Sequence, residues 1–120
     1  MTAKDPDPRP DNEVFLRGRL ADKPVEKELP SGDVLVLFRL TVPRPAGERV
    51  RVDSIECVTS RPRPRRALAK ATPGSEVEVE GSLRRRFWRA PSGPASRYAV
   101  DAAVVRISRS VPPVGRRGGA

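Results

Sequence analysis

Apolar residues recur with a period of two along most of the chain, the spacing of half-buried strands and not of helices. In Val14–Leu20, residues Val14, Leu16 and Leu20 fall on one side with Gly18 in line, while Arg17 and Arg19 fall opposite. Pro30–Asp33 is a turn cluster, where glycine permits positive φ and proline blocks strand continuation. Val34–Val42 predicts a second strand, with Val34, Val36, Phe38, Leu40 and Val42 on one face and Leu35, Leu37, Arg39 and Thr41 on the other. A Pro/Gly-rich loop over Pro43–Gly47 leads to a third strand, Arg49–Val58, in which Cys57 is a candidate small core residue. Ser75–Trp88 predicts a long fourth strand with Val77, Val79, Gly81 and Leu83 in register. After a loop over Ala90–Ser96, the fifth strand runs from Arg97 to Ser108.

Only Arg65–Ala71 has helical character. Alanine and leucine favour it, with Pro64 before and Pro73–Gly74 after as its limits. The pattern predicts an all-β fold of five strands with one short helix between the third and fourth. Periodicity alone also allows another small barrel, such as an SH3-like one. The position of the single helix tips the reading to a five-stranded OB-fold barrel, whose strand 2–3 face and flanking loops bind oligonucleotides. The barrel is expected over residues 12–109. Residues 1–11 are Pro-rich with alternating charge, and 110–120 end in a Gly/Arg-rich stretch. Both read as disordered arms, because neither has enough apolar surface to offset its ordering entropy.

Charge sharpens this picture. The 24 Lys+Arg exceed the 15 Asp+Glu by 9, and the excess is uneven. Residues 1–56 hold 10 bases and 11 acids, whereas residues 57–120 hold 14 bases and 4 acids. The second-half bases cluster in Arg61–Arg66, Arg84–Arg86 with Arg89, and Arg106, Arg109, Arg116 and Arg117. A basic surface of this kind suits a polyanionic partner. The longest apolar run, Val34–Phe38, is far too short for a bilayer helix, and no apolar signal-peptide core opens the chain. With one cysteine there is no internal disulfide, so a reducing, cytoplasmic setting is expected. The absence of histidine excludes Ser-His-Asp triads, Cys-His pairs and His-ligated zinc. No P-loop is present, so no nucleotide cofactor is expected. Glu76, Glu78 and Glu80 share a strand face, which a solvated or cross-strand-paired surface accounts for better than a divalent-cation site.

Several segments, in order, resemble bacterial single-stranded-DNA-binding proteins. Asn12–Leu20 is similar to the opening strand of that family, Ser31–Gly32 with Phe38–Val42 to its second strand, and Asp53–Val58 to its third. Gly74–Trp88 is the closest match, since the family has a glycine-led strand ending in Glu-Gly-x-Leu-Arg-x-Arg-x-Trp. Arg97–Tyr98 and Val100–Ile107 resemble its last core strand. The departures are specific: family aromatic stackers are replaced by Ser54 and Ser60, and the tryptophan often found after the second strand by Pro43–Pro45. The chain ends basic, where many members carry an acidic tail that recruits other enzymes. The resemblance implies a divergent or accessory paralogue, non-enzymatic, assembling as a homo-oligomer (dimer or tetramer).

The candidate DNA-binding residues are Trp88, Arg84, Arg86, Arg39, Arg17, Arg19, Arg97 and Tyr98. In an extended strand Arg84, Arg86 and Trp88 share a face. They would form a stacking platform flanked by guanidiniums, with strand arginines tracking phosphates. The alternative is that Trp88 closes the barrel end; Phe87, on the opposite face, is the other candidate for that core position. The expected function is sequence-tolerant binding of single-stranded DNA in replication, repair or recombination. A replisome adaptor whose main partner is a protein, and an RNA-binding barrel, are the alternatives.

Overall fold

The computed structural model describes residues 11–109. The proposed arms over 1–11 and 110–120 therefore lie outside the described residues, Asp11 excepted. The elements are β1 (Val14–Leu20), β2 (Val25–Glu28), β3 (Val34–Pro43), β4 (Val52–Thr59), α1 (Pro62–Ala69), β5 (Glu76–Ala90) and β6 (Gly93–Arg109). Five strands close in the order β1-β3-β4-β6-β5 and back to β1; every pairing is antiparallel except β4 with β6. This is the closed, mixed barrel of the OB-fold, with the helix between its third and fourth barrel strands.

Closure depends on β1 reaching two partners. Its length pairs with β5, and its end pairs with β3 through Arg19↔Thr41 and Leu20↔Leu40. Gly18 makes this approach possible: a Cβ there would lie 2.5 Å from the Thr41 carbonyl oxygen. Gly81 does the same on the far side, where a Cβ would collide with the Asp101 carbonyl oxygen. The inward residues pack as the period-two pattern predicts. Leu20, Val36, Phe38, Leu40, Cys57, Val77, Val79, Val100 and Ala102 form the buried core. Leu68, 1% exposed, seals it from α1. Burying one such leucine contributes roughly 1.5–3 kcal/mol.

Five expectations are corrected. The helix starts three residues earlier than Arg65 and ends at Ala69. Pro62 and Pro64 occupy its first turn, where no amide donor is required. The third predicted strand begins at Val52, not Arg49, because Arg44 and Arg51 pair as the neck of the preceding loop. The loop expected over Ala90–Ser96 is instead a tight turn, and β5 and β6 stay paired out to Ala90↔Gly93. Leu83 keeps its register with Val100 but is 46% exposed, since β5 leaves the barrel past a bulge at Glu80/Gly81. Phe87 is 71% exposed and so has no core role. The ribbon that carries it projects beyond the barrel, so its ring lies outside the buried core. Strand β2, which pairs only with β3, adds an edge to the barrel that the apolar pattern does not reveal.

Candidate nucleic-acid interface

Register fixes which side chains share a surface. Phe38, Cys57 and Val100 face inward and are mutually paired, as Phe38↔Cys57 and Cys57↔Val100. Strand alternation then turns Leu35, Leu37 and Arg39 of β3, and Glu56 and Val58 of β4, to the outer side. On the β5–β6 ribbon the same alternation places Arg84, Arg86 and Trp88 outward, opposite Ala99, Arg97 and Ala95. Leu37, Arg39, Glu56, Arg86, Arg97 and Ala99 line one cleft across this face. Five of the eight candidates from the sequence therefore meet on a single curved sheet: Trp88, Arg84, Arg86, Arg97 and Arg39.

The electrostatics of the face are set by few contacts. Arg97 Nη1 lies 3.3 Å from Glu56 Oε2, tying the ribbon to β4, and its guanidinium carbon lies 6.0 Å from the centre of the Trp88 ring. Arg39 Nη1 lies 3.4 Å from Asp22 Oδ2. Arg84 donates from Nε to Ser82 Oγ at 3.2 Å. Arg86 makes no ion pair among the described residues. Trp88 is 46% exposed and stands apart from the core cluster. The arrangement is an aromatic plane beside the Arg97 guanidinium, with Leu35, Leu37 and Val58 lining the grooves that hold Arg84 and Arg86.

The other three candidates sit elsewhere. Arg17 and Arg19 project from the outer side of β1. Arg17 Nε lies 3.2 Å from Glu78 Oε2, and Arg19 donates to the Gly74 carbonyl at 2.9 Å. Tyr98 lies on the reverse side of the ribbon from Trp88. There the Arg85 guanidinium sits 5.0 Å from the Phe87 ring centre and 5.7 Å from that of Tyr98. Arg85 also donates to Ser96 Oγ from Nε and Nη2. This cation–aromatic stack escapes sequence reading because it depends on the Arg85↔Tyr98 pairing across the turn. Phe15, 56% exposed, lies on β1 with Arg17 and Arg19.

Several titratable groups away from this face have structural roles. Glu78 and Glu80 are bound by Arg106, at 3.9 and 2.8 Å, so cross-strand pairing accounts for them. Hydrogen bonding and charge from Arg44 hold the Asp53 carboxyl below its ordinary range, pinning the β3–β4 loop. Burial pushes the Cys57 thiol up to about 12, with the neighbouring Glu56 charge adding to the shift. A thiol so rarely ionised is no nucleophile. No helix among the described residues is long and apolar enough to cross a membrane.

A closed five-stranded barrel with an arginine- and aromatic-bearing outer face defines an OB-fold protein of the oligonucleotide-binding type. The chain belongs to the single-strand binding protein family, whose model matches residues 11–109. Among solved structures it is similar to an SSB of Plasmodium falciparum in complex with ssDNA. The identity is 23%, with 83% of this chain and 95% of that one covered, and the TM-score is 0.67. It is also similar to a small single-stranded DNA-binding protein from Streptomyces coelicolor. Here the identity is 22%, with 80% of this chain and 93% of that one covered, and the TM-score is 0.61. Comparison with curated proteins gives no match.

Proposed function

We propose that this protein binds single-stranded DNA without catalysis and with little sequence preference, along the outer face of β3, β4 and the β5–β6 ribbon. The observation that carries this reading is the placement of Trp88, Arg86, Arg84, Arg97 and Arg39 on one sheet face. A base stacks on the Trp88 ring, an interaction worth roughly 1–3 kcal/mol and indifferent to base identity. The arginines hold successive phosphates, for which a planar guanidinium fork is suited. Family membership supports the same reading, and the reading extends to handling strands exposed during replication, repair or recombination. The reading extends to a homo-oligomer, for which the exposed Phe15, and Leu83, Phe87 and Tyr98 on the ribbon's reverse, offer apolar surface.

An aromatic platform needs unpaired bases, whereas a bare cationic surface needs only phosphates. The test compares, at equal salt, affinity for a single strand of about 30 nucleotides, longer than one OB fold occupies, with affinity for its duplex. Clearly tighter binding to the single strand is expected, and equal affinity contradicts the platform. A matched RNA oligomer in competition separates the RNA-binding alternative through the 2′-OH.

A further inference from the structure

The basic segment Arg61–Lys70 is not absorbed by the sheet face. It carries Arg61, Arg63, Arg65, Arg66 and Lys70 and no acidic residue. None of these cations makes an ion pair among the described residues. Two observations place it relative to the interface. First, a groove on the interface side reaches the residue before the segment: Leu35, Val58, Ser60, Arg84, Arg86 and Asp101 line it, and Ser60 is followed directly by Arg61. Asp101 is the one carboxylate on that lining. Second, the junction is fastened. The buried Thr59 hydroxyl donates to the Ala102 carbonyl at 2.8 Å and accepts from the Arg61 amide at 3.3 Å, tying the start of the basic segment to β6. Pro62 and Pro64 stiffen the first turn further. Arginines on a fixed backbone lose less entropy on meeting phosphate than those on a floppy loop.

We infer that the phosphate track does not end at the ribbon. It continues through the groove past Ser60 onto α1, where Arg61, Arg63 and Arg66 hold additional phosphates of the same strand. The inference rests on the single-strand reading and adds a second tract to it. Its chemistry differs from that of the sheet face: no aromatic residue lies in Arg61–Lys70, so this tract takes backbone charge and no stacked base.

The test is a length series of oligothymidylates, from about 8 nucleotides upward through and beyond the ~4–16 that one OB fold occupies. It is run on the full chain, on Arg61→Ala/Arg63→Ala/Arg66→Ala and on Trp88→Ala. The three arginines are exposed, so their removal leaves the core intact; Arg65 is retained because its Nε is buried. The triple variant should bind the shortest oligomer as the wild type does and stop gaining affinity at a shorter length. Its salt dependence on long oligomers should fall by a slope of about 2, from ~0.7 per released phosphate contact. Trp88→Ala should weaken binding at every length, which reports on the sheet face separately. Identical length dependence in wild type and triple variant overturns the second tract while leaving the sheet-face reading intact. So does an equal loss at all lengths, which is the mark of a diffuse field. If a polyglutamate peptide binds the wild type but not the triple variant, and the oligomer series is unchanged, the segment instead serves an acidic protein partner and the inference fails. Absence of oligomer binding by the wild type overturns both.

Discussion

Arg86 and Arg17 are both strand arginines in a basic protein, yet the structure gives them different environments. Arg17 faces Glu78 at 3.2 Å on the β1 side of the barrel, while Arg86 lines the cleft beside Leu37 with no ion-pair partner among the described residues. Arg86→Ala should therefore weaken single-strand binding by roughly 1.5–3 kcal/mol, the range for a charged hydrogen bond. It should also lower the salt slope by about 0.7. Arg17→Ala should leave both unchanged, and equilibrium titrations at several salt concentrations compare the two. Cys57 gives a second residue-scale test. Its thiol is pushed up to about 12 by burial, whereas in the unfolded chain it ionises near the ordinary thiol value of 9.0. The unfolded state thus binds fewer protons between those limits. Stability is intact below about pH 9 and falls as pH rises towards 12, by at most about 1.4 kcal/mol per unit. Thermal melts across that window should show the decline, and Cys57→Ala should flatten it.

The β5–β6 ribbon is the element that carries most of the proposed interface, and its pairing shifts register at the bulge between Glu80 and Gly81. Gly81→Ala would press a methyl group onto the Asp101 carbonyl, and backbone has little room to yield. A loss of about 1–3 kcal/mol is expected, typical of overpacking, and thermal or urea unfolding measures it. The same element shows what sequence reveals and what it hides. Val77 and Val79 announce β5 because the barrel covers one of its faces. Beyond Leu83 the ribbon leaves the barrel, so alternation no longer distinguishes a buried side. Pro91, Gly93 and Pro94 then read as a loop. Yet Pro94 pairs with Arg89 on a free-standing two-stranded ribbon, where every strand is an edge and a missing donor is tolerated. Strand β2 escapes for a related reason: all four of its residues are exposed, and among the described residues its one strand partner is β3. The shared face of Arg84, Arg86 and Trp88 was legible from spacing. That Arg39 and Arg97 join it, while Tyr98 turns away, follows from pairings between strands distant in sequence.

At the scale of the whole molecule, the basic second half of the chain supplies the ribbon and α1, and the near-neutral first half supplies β3, which brings Leu35, Leu37 and Arg39 to the same face. With about four to six phosphates neutralised per protein, log K against log salt should fall with a slope of roughly −3 to −4. A slope near zero would remove the electrostatic part of the account. The central claim is that a base stacks on Trp88, and it has a direct readout because Trp88 is the only tryptophan. Titrating a poly-pyrimidine strand into the protein should quench the indole fluorescence. Trp88→Ala should weaken binding by roughly 1–3 kcal/mol with little change in melting temperature, since the ring is half exposed on the ribbon. Fluorescence unmoved by saturating DNA, together with a loss of about 3–5 kcal/mol in folding stability on Trp88→Ala, the cost of emptying a buried tryptophan site, would contradict it.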